Sequence, residues 1–246
     1  MGKDMQLVGR YRIRVAESLH DLHAAQHLRH LAFYGDGTLR DEDHFDTLCT
    51  HFLIEENGSG RLVCVFRMLP LNGGADIDRS YSAQFYELDA LRDFPGRMVE
   101  MGRFCIHPDV HDADVLRVAW GAMTAYVDEN KVELLFGCAS FSGTDTSTYL
   151  DSFAMLRDRH LAPKRWLPRV KAPNVFRFAS RLRRQPNLKA AQLSMPPMLR
   201  SYLLMGGWVS DHAVVDQKMN TLHVFTGVEV KTIPAARKRL LRALAC

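Results

Sequence analysis

The ten residues from Val99 to Pro108 constrain the fold of this chain most. Val99, Met101, Phe104, Cys105 and Ile106 make an apolar run of strand length closed by His107-Pro108, and such a run belongs inside a sheet. Glu100 and Arg103 stand three apart within it. Charges in mid-sheet are costly to desolvate unless paired or used, so the strand carries either a structural ion pair or working groups. Gly102 between them marks a bulge or a close backbone approach.

Around this strand the pattern alternates between periods of two and 3.6. Residues 10–16 predict a first strand and 18–33 a helix capped by Ser18 or Asp21. An acidic loop, Asp41 to Asp46, leads into a hairpin with strands over 50–55 and 61–69. A Gly-rich loop is expected over 70–78, a helix over 81–94 stopped by Pro95-Gly96, and the charged strand over 98–106. Beyond it the pattern predicts a helix from Asp112 or Asp114 to about Asn130 and a buried strand over 133–139. A polar loop (140–147), a helix (148–160), a basic irregular stretch, a helix from Pro196-Pro197 to Met205 and further strand complete the chain. The order is that of an α/β protein whose mixed central sheet is flanked by helices.

A chain of 246 residues, 47% hydrophobic and 24% charged, has the length and composition of a globular protein with one sizeable core. No stretch approaches the ~18 apolar residues of a membrane span, and the N-terminus has no apolar signal region. Met1-Gly2 is followed by Gln6 where a lipidation signal has Ser or Thr. The expected location is cytoplasmic, or peripheral on the inner membrane. The five cysteines (49, 64, 105, 138 and 246) lack Cys-x-x-Cys spacing and read as reduced thiols.

The net charge of +4 hides an asymmetry. Residues 157–189 hold eleven Lys/Arg against the single acid Asp158, a charge of +10 that leaves −6 for the remainder. Lys231, Arg237, Lys238, Arg239 and Arg242 form a second basic piece. Such segregation points to an acidic partner or an anionic surface. Trp166, Phe176 and Phe178, interleaved with basic residues, keep single-stranded nucleic acid as an alternative. The helix expected over 234–244 reads equally as a membrane-surface helix or a docking helix. His20, His23, His27 and His30 share a helical face, but no Cys or acidic ligand accompanies them, and no metal is expected. Cys138 lacks the glycines of a nucleophile elbow and reads as a small core residue.

Four motifs in order then become specific. Arg29-His-Leu-Ala-Phe33, Asp43-His-Phe-Asp46, Arg67 at a strand end, and Glu100-x-x-Arg103-Phe104 resemble the GNAT-like acyltransferases that include acyl-homoserine-lactone and ornithine-lipid synthases. The segments from Phe136 to Asp145, Met195 to Trp208 and Asp216 to Thr221 look like the ornithine N-acyltransferase branch. The resemblance runs from about residue 10 to 230 and implies a GNAT-like core over 1–155, with a basic elaboration over 156–246 completing the same domain. It implies transfer of a 3-hydroxyacyl chain from the phosphopantetheine of acyl carrier protein to the α-amine of ornithine. No bound cofactor is implied. Glutamine as acceptor, a signalling-lactone synthase, and a non-catalytic nucleic-acid or membrane-binding module remain as alternatives.

The loop from Asp109 to Leu116 has no glycine and three aspartates, unlike the Gly-rich loop that holds the pyrophosphate of coenzyme A at a helix N-terminus. That favours the carrier-protein donor, whose arm bears one phosphate, and gives the basic segment an acidic partner. Acyl transfer to an amine needs a neutral nucleophile, and an α-amine, titrating near ~8, yields one more readily than a side-chain amine near ~10.4. Glu100 is the candidate general base and Arg103 its orienting partner, or a fork for carboxylate or phosphate. Backbone N–H groups at Gly102 are the candidate oxyanion donors. Asp43 and Asp46 are candidates for the acceptor's cationic groups and Arg29 or Arg67 for its carboxylate. Phe33, Phe104 and Ser140 complete the implied substrate site.

Overall fold

The structure, a computed structural model, describes residues 6–244, so Met1-Gly2 and Cys246 lie outside the described residues. In chain order the first elements are strands β1 (Gln6–Val8) and β2 (Tyr11–Val15), helix α1 (Leu19–Tyr34), and strands β3 (Thr50–Glu56), β4 (Leu62–Leu71), β5 (Tyr86–Glu87) and β6 (Arg97–Ile106). Helix α2 (Ala113–Glu129), strand β7 (Val132–Ser142), helix α3 (Leu150–Arg159) and short strands β8 (Arg169–Val170) and β9 (Val175–Phe176) follow. Helices α4 (Phe178–Arg181), α5 (Leu188–Ser194) and α6 (Pro197–Leu204) precede strands β10 (Trp208–Val209), β11 (Ala213–Asp216) and β12 (Thr221–Glu229), and α7 (Ala235–Leu244) ends the chain.

These elements form two units, one of residues 1–70, 101–132 and 235–246, the other of 71–100 and 133–234. In the first, β1, β2, β3, β4 and the second half of β6 lie side by side. Ser18 starts α1 with a capping box, its hydroxyl accepting from the Asp21 amide while the Asp21 carboxylate accepts from the Ser18 amide. The period of two sorts the strand residues between two helices. Leu53, Val65 and Cys105 pack with Ala25 and Leu28 of α1. Phe52 and Phe66 stack at 4.8 Å, and Phe52 meets Tyr126 of α2 edge-on. Burial pushes the Cys105 thiol up to about 12 and Cys64 well above its ordinary range, so both are inert core thiols. Arg242 of α7 forks onto Asp128 of α2 at 2.8 and 3.1 Å.

In the second unit β12 pairs antiparallel with β7 along nine residues, from Thr221 opposite Ser142 to Glu229 opposite Leu134, and also with β10 and β11. Phe141, Leu222 and Val224 join Phe153 and Leu156 of α3, Ala191 of α5 and Leu199 of α6 in one core. Phe136, Cys138, His223 and Phe225 turn to the other face, where Tyr86 packs on Phe225 and on His223. The helix expected over 81–94 is absent. Short 3-10 turns at 82–84 and 89–91 flank β5, which pairs with β8. Tyr86 and Glu87 pair with Val170 and Arg169, the Phe85 carbonyl accepts from the Ala172 amide and the Ala83 carbonyl from the Lys171 ammonium, and these long-range partners replace helical ones. Trp166 packs on Phe94, Phe176 on Phe153, and Phe178 is wholly buried. The rings that suggested stacked bases are thus committed to packing. Among the described residues no helix is long and apolar enough to cross a membrane.

Burial pushes His223 down to about 4. The unfolded chain takes up a proton near 6.5 that the folded chain refuses until about 4, so stability falls as pH drops through that window. The difference is worth about 3 kcal/mol at its limit. Thermal melting of His223→Gln should lose that segment of the pH dependence, and an unchanged profile between pH 6.5 and 4 overturns the assignment.

Candidate active site

The segment that follows the hairpin holds the Glu100 side chain. Oε2 accepts from the Tyr81 amide at 2.6 Å, and Oε1 accepts from the Ser82 amide at 2.8 Å and the Ser82 hydroxyl at 2.5 Å. Three donors converging on one carboxylate favour its ionised form and fix both oxygens. Ser82 is itself fully buried, and its Oγ lies 3.3 Å from Cys138 Sγ on β7. With the Ser82 proton directed to Glu100, the thiol is the donor of that second bond. Ser140 stands two residues further along the same face of β7, opposite His223, and is exposed. Glu100 thus sits among a hydroxyl, a thiol and two amides in the second unit.

The remaining motif residues converge in the first unit. Arg29 reaches out of α1 to Asp41 at 2.8 Å and Asp46 at 2.7 Å, and also donates to the Asp41 carbonyl. Arg67 of β4 donates to Asp46 at 2.5 Å and to both oxygens of Asp43, at 2.6 and 2.8 Å. Arg103 of β6 meets Asp41 at 2.9 Å and Asp43 at 3.1 Å. Gln26 and His51 close the set, donating to an Asp46 side-chain oxygen and meeting the Asp46 carbonyl respectively. Three arginines face three aspartates, and the cluster is neutral.

Asp43 and Asp46 owe their positions to a local device. Asp43 caps a 3-10 turn over 44–47, and Asp46 answers to the Asp43 amide, which turns both carboxylates inward. Burial raises both carboxyls, but hydrogen bonds and charge from Arg67 on Asp43 and from Arg29 on Asp46 outweigh it, leaving both below the ordinary range. Arg29 is 1% exposed and Asp46 5%, so these two lie deep in the cluster, whereas Asp43 and Arg103 sit at its more open end.

The expected special conformation at Gly102 falls one residue later. Arg103 is left-handed at φ +53, a strained state for a side chain of that size, and its ion pairs to Asp41 and Asp43 compensate. A Cβ at Gly102 would meet only Arg67 Nε at 3.9 Å, so protein packing alone does not demand glycine there. Phe33 packs against the α1 core and Phe104 lies 6.0 Å from Phe66. Sequence reasoning missed Ser82, which lay inside a segment read as helix, and Asp41, whose acidic run was the available signal. At the start of α2, Asp112 caps the Asp114 amide and accepts the Tyr11 hydroxyl at 2.9 Å. Among the described residues no group of His, Cys, Asp and Glu side chains could hold a metal ion.

Known proteins are similar to this chain over most of its length. The family model for an acetyltransferase (GNAT) domain matches residues 28–121. An L-ornithine N(alpha)-acyltransferase of Rhodobacter capsulatus is 34% identical over 229 residues, covering 87% of this chain and 88% of the relative. Another from Brucella abortus is 27% identical, covering 92% and 86%. Among solved structures, FeeM, an N-acyl amino acid synthase from uncultured soil microbes, superposes with a TM-score of 0.51 at 14% identity, covering 96% and 97% of the two chains, and shares the fold. The protein is an acyltransferase of GNAT-like fold, and it belongs to the L-ornithine N(alpha)-acyltransferase family.

Proposed function

We propose that this acyltransferase moves a 3-hydroxyacyl chain from acyl carrier protein to the α-amine of ornithine, giving lyso-ornithine lipid. The observation that carries the reading is the Rhodobacter relative, matched across nearly nine-tenths of both chains. In the reaction the amine nitrogen attacks the thioester carbonyl, a C–N bond forms and the C–S bond breaks. The ammonium proton passes to Glu100, directly or through a water, and the departing thiolate is protonated in turn. Glu100 suits the task in being a carboxylate whose two oxygens are held in place. Asp43 and Arg103, at the open end of their cluster, are the members we assign to polar groups of a ligand; Arg29 and Asp46 we assign to holding the cluster together. The segment over 156–246 supplies α4 to α7 and β8 to β12, and on this reading completes the enzyme.

The donor assignment is supported by α2, where Asp112 already occupies the helix start and Asp109 and Asp114 add negative charge that repels a pyrophosphate. Incubating purified protein with 3-hydroxyacyl carrier protein and ornithine or glutamine, followed by mass spectrometry, tests the proposal. An ornithine amide is expected. Equal turnover with acyl-coenzyme A overturns the donor, and a glutamine amide overturns the acceptor.

Ser82 supplies a subtler check on the base. Ser82→Ala removes one donor to the ionised carboxylate, so proton uptake becomes easier and the acid limb of the pH–rate profile moves upward, by about one pH unit. The maximal rate should fall by roughly tenfold. A rate loss with an unmoved acid limb makes Ser82 a packing residue only.

A further inference from the structure

Between Asp158 and Asp211 the chain carries eleven Lys/Arg and no acidic residue. Part of that charge is neutralised inside the second unit. Arg165 pairs with Glu229, Arg169 with Glu87, and Arg184 with Asp151. Arg177, Arg181, Arg183, Lys189 and Arg200 are exposed and have no carboxylate partner among the described residues.

Helices α5 and α6 present the centre of this stretch. In α5 the burial pattern is the reverse of that in a helix built only to face water. Ala191 is buried against α3, while Leu188, Lys189, Gln192 and Leu193 point out, Leu193 at 77% exposure. In α6, Leu199 and Tyr202 go inward, and Pro197, Arg200 and Leu204, spaced i, i+3 and i+7, go outward. The Arg200 guanidinium reaches the Gln192 carbonyl at 3.5 Å, which links the two helices. Leu188, Leu193 and Leu204 are thus exposed on two consecutive helices together with Lys189 and Arg200.

We propose that this α5–α6 face docks the enzyme on an anionic lipid bilayer, the leucines entering the headgroup boundary and the basic residues meeting lipid phosphates. Protruding leucines flanked by lysine and arginine, in a stretch without a carboxylate, match a charged interface with an apolar layer beneath it. The inference does not depend on which amino acid is acylated.

The test is co-sedimentation of the full chain with vesicles of phosphatidylcholine alone or with about one-third phosphatidylglycerol. Binding to the anionic vesicles, weakened by salt, is expected. Leu193→Asp with Leu204→Asp should weaken it by on the order of tenfold or more, and Lys189→Glu with Arg200→Glu by a similar factor. All four positions are exposed, so thermal midpoints should stay at the parent value. The proposal is overturned if anionic vesicles are not bound, or if neither pair of substitutions alters binding. It is equally overturned if the variants lose affinity for purified acyl carrier protein and keep it for vesicles.

Discussion

Exchanging Glu100 for Gln should slow amide formation by on the order of 10²-fold or more while the protein stays folded. Gln keeps the size of the side chain and one oxygen able to accept from the Tyr81 or Ser82 amide. It removes the charge and the site that takes the ammonium proton. Its NH₂ must also face one of those donors, which costs some stability, so melting has to be measured beside the rate. The two readouts separate the roles a carboxylate in this position can have. A rate within about threefold of the parent, together with a lowered midpoint, identifies Glu100 as an anchor for the 81–82 turn and removes the catalytic reading. A single-turnover assay with preformed acyl carrier protein makes the comparison clean, because product release does not enter it.

The largest effect on stability is expected at Arg29. Its guanidinium is buried and donates to Asp41 and Asp46. Arg29→Met fills much of the volume but leaves two carboxylates facing each other with reduced compensation. Breaking a buried pair in this way typically costs ~3–5 kcal/mol, equivalent to a fall of roughly 10 °C in the midpoint for a chain of this size. The pH dependence should change with it. Asp46 is held below its ordinary range in the folded state, so it contributes stability above about pH 4 that is lost as the pH falls toward its folded value. In Arg29→Met that acid-sensitive contribution should shrink, and denaturant midpoints measured from pH 6 to pH 3 will show it. A variant as stable as the parent at neutral pH defeats the account of the cluster as a structural requirement.

Much of the fold was legible because period and capping chemistry agreed. Ser18 with Asp21, Asp112, the turn over 57–60 and Pro196-Pro197 set element ends where the structure has them. The error over 81–94 has a different origin. Its aromatic and apolar spacing suits a helix, but Tyr86 and Glu87 pair with Val170 and Arg169 and the Ala83 carbonyl accepts from Lys171, a partner 88 residues away. Local pattern carries no information about such partners.

The candidate site shows the same division. Arg29, Asp43, Asp46, Arg67 and Arg103 were legible as residues that belong together, yet the first four read as groups offered to a substrate and Arg103 as the orienting partner of Glu100 or a fork for a ligand. Folding pairs them with one another, because three buried guanidinium groups are tolerable only beside three carboxylates. The left-handed backbone fell on Arg103 although Gly102 was the residue able to adopt it without strain, and only ion pairs formed across the first unit explain that choice.

By itself, then, the order of residues determined the α/β alternation, the charged strand, the acid-free basic stretch and the family, since these depend on period, composition and motif spacing. Tertiary structure alone decided which charges are consumed by one another, that Ser82 holds Glu100, and that α5 turns its alanine inward and its leucines out. Those are questions of what lies beside a side chain in space. Neighbours in space are fixed by packing between distant segments, and no local pattern encodes them.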